Sequence, residues 1–211
     1  MFRNLFKPDS ALMITMTQIT DCIFLSLFWV VGCIPMATAG ASFAALYDSV
    51  YRTYRKGEKH SWQRFGHVFR TNWRSGIMPT TFVIAVFALE FSGLIRLWNA
   101  AATQQMSFGI FSAAALLGVV LLGMISLVFP VMSRFETSFG GLIKNSFLLG
   151  FVNMPRTMAL GVLNAVTMFL CVLYIFPLFF LPALSALLGS LLIEPMFKPY
   201  MPEDPAEEAA S

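Results

Sequence analysis

Charge is what this chain has least of: Asp, Glu, Lys and Arg make up 12% of its 211 residues, where soluble domains carry roughly 25%. That shortage excludes a soluble globule. Cysteine is also scarce, and Cys22, Cys33 and Cys171 each lie in or beside an apolar run with no paired spacing; they read as small core residues, neither a metal knot nor a disulfide. Only two histidines occur, His60 and His67, seven positions apart and with no third ligand near them in sequence, so no metal site is expected. There is no glycine-rich phosphate loop, no nucleophile elbow and no HExxH, so the recognisable catalytic signatures fail one after another. The expectation is no enzyme, no catalytic residues and no cofactor.

What is present is long apolar sequence. Hydrophobic residues make up 57% of the chain, Phe alone contributes 22, and the mean hydropathy is +0.72. Repeated apolar runs of about 20 residues match a hydrocarbon core roughly 30 Å thick. The reading is an all-α polytopic membrane protein with about five spans, at 12–34, 76–98, 108–132, 157–176 and 178–194. They form a single membrane domain over 1–200, followed by an acidic tail at 201–211 too polar to pack. A short amphipathic lead-in over 1–9 precedes the first span. A signal peptide is the competing reading of the start, but Gln18 and Asp21 interrupt its apolar stretch.

The charges that remain are concentrated. Between Tyr47 and Arg74 stand Arg52, Arg55, Lys56, Lys59, Arg64, Arg70 and Arg74, half of the chain's 14 Lys and Arg residues, opposed only by Asp48 and Glu58. Lys and Arg beside a span resist translocation, so this stretch should face the cytoplasm. The segment 37–75 is therefore read as a basic cytoplasmic one: a first helix leaves the membrane, Gly57 and Glu58 break it, and a second carries Trp62, Phe65, Phe69 and Trp73 on its apolar face. With Arg64, Arg70 and Arg74 alongside, that second helix has the makeup of an in-plane lipid-contact or partner surface. Anionic headgroups and topology explain such a cluster without nucleic acid.

Residues 134–156 form a second polar segment, with Arg134, Lys144 and Arg156 against Glu136, while the link 99–107 carries no charge. The alternation places the N-terminus outside, the C-terminus inside, and the chain in a bacterial cytoplasmic membrane. Arg64-Phe65-x-x-x-Phe69 recurs as Arg134-Phe135-x-x-x-Phe139, a match of three residues in a Phe-rich chain. Three ionisable residues fall within the spans: Asp21, Glu90 and Arg96. Such groups are costly unless paired or hydrated, and they mark either structural pairs or a pathway. Glu90 and Arg96, six apart on one helix, face different ways, so Asp21 is the expected partner of Arg96. Ala114 and Gly118 supply a small-xxx-small helix contact.

The run Ile34-Pro35-Met36-Ala37-Thr38-Ala39-Gly40-Ala41, then Ala44-Ala45-Leu46-Tyr47, Arg55-Lys56-Gly57-Glu58, and Phe65, Phe69, Asn72 and Trp73 resembles the YesL-like family of small bacterial integral membrane proteins. Arg134-Phe135-Glu136 and Lys144-Asn145-Ser146 extend the likeness. The family is a domain of unknown function and brings no catalytic residues. The resemblance implies association with carbohydrate-uptake and polysaccharide-utilisation loci, and Asp21 departs from the residue common there. Three functions follow as expectations: an accessory or regulatory component beside sugar-permease subunits, a transporter using the intramembrane charges, or a scaffold whose basic segment recruits a cytoplasmic partner.

Overall fold

The computed structural model describes residues 11–58, 60–103, 107–135 and 137–200, with backbone alone at 11–15. The lead-in expected over 1–9, Lys59, Glu136 and the acidic tail lie outside these residues. Nine α-helices follow in order among the described residues: α1 (Ala11–Cys33), α2 (Ala39–Arg55), α3 (Ser61–Asn72), α4 (Ile77–Ala102), α5 (Phe108–Ser126), α6 (Val128–Arg134), α7 (Phe139–Val152), α8 (Met154–Leu173) and α9 (Leu181–Phe197). Five stretches are long and apolar enough to cross a membrane: Met16–Cys33, Ile77–Ala102, Phe108–Arg134, Met154–Leu173 and Leu181–Tyr200. The protein is thus an all-α polytopic one, with the expected number of spans.

Their ends differ from expectation for local reasons. The third stretch passes Pro130, because the helix breaks earlier, at Leu127, whose N–H turns back to the Met124 carbonyl. Pro130 then occupies the first turn of α6, where its missing N–H costs no hydrogen bond. The fourth begins at Met154, with Pro155 in the same tolerant position. The polar segment 134–156 is mostly helix. Ser138 accepts the Gly141 N–H at 3.4 Å and opens α7, which buries Leu142, Ser146 and Leu149. Lys144 is its single charge.

Within 37–75, α2 is the central helix, buried from Ala44 through Val50 and touching α1, α3, α4, α6 and α9. Small residues make this possible. A Cβ on Gly32 of α1 would collide with Ser42, and one on Gly40 would collide with Thr80 of α4 and stand 2.5 Å from the Phe129 ring. Thr80 Oγ1 instead accepts the Gly40 N–H at 3.0 Å, tying α4 to the start of α2. One face of α2 gives Ala44 and Tyr47 to a core with Leu127, Val131, Met196 and Phe197. The other gives Ala45, Leu46 and Val50 to a core with Leu25, Phe65, Val68 and Ala183.

α2 also doubles back along α1, since the Tyr54 hydroxyl donates to the Gln18 carbonyl. The basic segment therefore begins alongside the amino-terminal half of the first span rather than beyond its end. At the tip between α2 and α3, Gly57 and His60 both adopt positive φ, 68° and 75°, which lets a short link reverse the chain.

α5 and α8 meet backbone to backbone, while Gly118 of α5 gives its close contact to Glu90 of α4. A Cβ on Gly161 would fall on the Val119 carbonyl oxygen, and one on Gly123 on the Thr157 carbonyl oxygen. Such small residues let membrane helices approach closely enough for dispersion to hold them. Gly161→Ala should therefore lower the melting temperature in detergent, with overpacking costing about 1–3 kcal/mol. Gly93→Ala, which meets nothing within 4 Å, should leave it unchanged or raise it. Equal melting of the two variants would mean that the α5–α8 crossing is not tight.

Candidate functional site

The deepest charge in the described chain is Asp48, whose side chain is 1% exposed. An ionised carboxylate there needs compensation, and it has two guanidinium partners. Arg64 Nε of α3 approaches Oδ2 at 2.6 Å, and Arg52 Nε, one turn along α2, approaches Oδ1 at 3.2 Å. Arg52 also reaches Glu58 at 2.9 Å. Burial works against the Arg52 charge, but Glu58 and Asp48 outweigh it and hold its pKa raised. Nearby, the buried Ser61 hydroxyl donates to Asp21 Oδ1 at 2.9 Å. The start of α3 is thus bolted to both α1 and α2.

A second cluster lies on the adjoining face of α2. Arg134, at the end of α6, pairs with Glu194 of α9 at 2.9 Å, their side chains only 8% and 16% exposed. The Tyr47 hydroxyl donates to the same Glu194 oxygen at 2.9 Å. The Arg134 guanidinium lies 4.2 Å from the Tyr51 ring centre, within cation–π range. Four residues from three helices thus converge, and all of them are enclosed or half-enclosed.

The residues singled out from sequence are dispersed. Asp21 meets Ser61, and the expected pairing with Arg96 does not form: α1 packs on α2, α3 and α9, while Arg96 is exposed on α4. Glu90 packs against α5 where Gly118 leaves room, since a Cβ there would run into its carboxylate. Its other oxygen is buried without a partner among the described residues. Of the basic stretch, Arg52 and Arg64 turn inward to Asp48, whereas Arg55, Arg70 and Arg74 are exposed, as are Trp62 and Trp73. Lys56 is exposed as well. The twin Arg-Phe motifs sit in different settings, one inside α3 and one at the end of α6, yet both arginines grip α2.

Sequence reasoning named Tyr47, Asp48 and Arg134 without giving them a place in a site, and passed over Tyr51 and Glu194. A signal did exist for two of them. Glu194 stands in the last apolar run and Asp48 four positions before Arg52, so each was a charge in an unfavourable setting asking for a partner.

Residues 22–94 match the model of a family described as "Protein of unknown function, DUF624", of which YesL is a member. The resemblance read from the motifs thus holds over that stretch, which contains Asp48, Arg52, Glu58 and Arg64. No curated protein and no solved structure matches the chain.

The arrangement is one of internal bracing. Removing one partner of a buried pair strands the other at a cost of about 3 kcal/mol or more, whereas removing both is milder. Asp48→Asn should accordingly lower the melting temperature sharply, and Asp48→Asn combined with Arg64→Gln should recover part of the loss. Strictly additive losses in the double variant would show that the two side chains do not depend on each other.

Proposed function

We propose that this chain, carrying the DUF624 segment within a bundle of membrane-spanning helices, is a non-enzymatic accessory or regulatory component of bacterial carbohydrate uptake. It would reside in the cytoplasmic membrane with its basic segment toward the cytoplasm. The single observation that carries the accessory reading is the state of the central charges: Asp48 and Glu194 are each held by arginine within the chain. Charges used in this way brace helices against one another. The carbohydrate link rests on the YesL-like resemblance, and sugar-permease subunits are the partners it points to. Exposed Arg55, Arg70 and Arg74, beside Trp62 and Trp73, supply a face for such a partner and for anionic lipid.

One observation favours a transporter instead: Glu90 lies within a span and keeps an enclosed oxygen with no partner among the described residues. An intramembrane carboxyl of that kind is a pathway candidate by default.

Affinity purification of the tagged full chain from bacterial membranes separates the two. Recovery of sugar-permease subunits in constant ratio is the outcome expected. Sugar movement by the purified chain alone in liposomes, lost in Glu90→Gln, would transfer the assignment to transport. For orientation, a single cysteine at Ser138 in a background lacking Cys22, Cys33 and Cys171 should be shielded from an impermeant external reagent, and one at Thr103 should react. External labelling at Ser138 would reverse the orientation.

A further inference from the structure

We propose that the cleft between the start of α4 and the start of α7 binds the headgroup of an anionic phospholipid. The cleft has a volume of about 290 Å³, and its walls include Arg74, Ser75, Met78, Thr137, Phe139 and Leu142. The lining combines a guanidinium and two hydroxyls with apolar side chains, the mixture an amphiphile presents. Its volume is near the lower end of ligand pockets, roughly 300–1,000 Å³, so it takes a headgroup and leaves acyl chains outside. The apolar path for those chains is present: Met78 is 68% exposed beside the cleft, and Phe139 stands edge to face with Phe82 at 6.0 Å.

Charge selects the class of headgroup. Among the described residues no carboxylate pairs with Arg74; its guanidinium lies 5.0 Å from the ring centre of exposed Trp73. That differs from Arg52 and Arg64, which are committed to Asp48. Phe139 is the first residue of α7, so the positive end of a 14-residue helix opens on the same space. Position agrees, because Arg74 and Ser75 immediately precede the stretch Ile77–Ala102, long and apolar enough to span, and basic residues at the end of a span reach the headgroups. The inference rests on the chain being a membrane protein and is independent of the carbohydrate reading.

The test is native mass spectrometry of the full chain, delipidated in detergent and offered phosphatidylglycerol or phosphatidylcholine. Wild type should retain phosphatidylglycerol preferentially. Arg74→Gln should reduce that retention about fivefold, the effect of one basic contact, and Arg156→Gln, exposed at the start of α8, should change it little. Thr137→Phe, which fills the cleft from its rim, should also abolish the preference and decides the matter if Arg74→Gln does not fold. Undiminished preference in the folded variants, or an equal loss in Arg156→Gln, would overturn the site. Full displacement of the lipid by glycerol 1-phosphate would assign the cleft to a soluble phosphate and overturn the lipid proposal.

Discussion

Everything near the centre of this protein is arranged so that Asp48 can be buried. Fully burying a large apolar side chain gains about 1.5–3 kcal/mol, and an unpaired carboxylate in the same place costs more than one such residue returns. α2 can therefore occupy the core only while Arg64 and Arg52 stand against it. That requirement positions α3. For Arg64 to reach Asp48, α3 must lie along α2, and doing so buries Phe65 and Val68 and stacks Phe65 on Phe28 of α1. The polar face then points away from the core, with Trp62 and Trp73 outward.

The Arg134 cluster adds a second restraint of a different kind. Successive residues of a helix differ by about 100° in direction, so Tyr47 and Tyr51 share one face of α2 while Asp48 and Arg52 share the next. Arg134 and Glu194 hold the first pair, and Arg64 holds Asp48 of the second. Rotating α2 in either direction breaks one set before it improves the other. Two polar brackets on adjoining faces thus fix its rotation, which a lining of Ala, Gly and Ser alone leaves loose. Arg134 links α6, and Glu194 links α9, so helices distant in sequence converge on a single turn of α2.

The spans were legible in the sequence because a long apolar run has few alternatives, and five were read where five occur. The burial of α2 was not legible, for the complementary reason. Ala41, Ser42, Ala44, Ala45 and Ser49 are buried because they are small, and small residues carry a weak hydropathy signal. α7 was hidden by Lys144 and Asn145, which drew attention away from a helix otherwise apolar. The Asp21–Arg96 pairing failed because equal depth in two helices says nothing of adjacency, and α1 is not packed against α4 at that point. Asp48 and Glu194 escaped notice because their partners lie 16 and 60 positions away, beyond what local spacing can report.

The same geometry changes what the basic segment can mean. Seven Lys and Arg residues resist translocation while the chain is being inserted, before any of them has found a folded partner, so all of them count toward orientation. Attraction to headgroups or to another protein acts on the finished molecule and counts only the charges facing outward. Arg52 and Arg64 are then already spent on Asp48, while Arg55, Arg70 and Arg74 stay exposed. The residues that let α2 be buried are thus distinct from those left exposed, and a substitution at one set need not disturb the other.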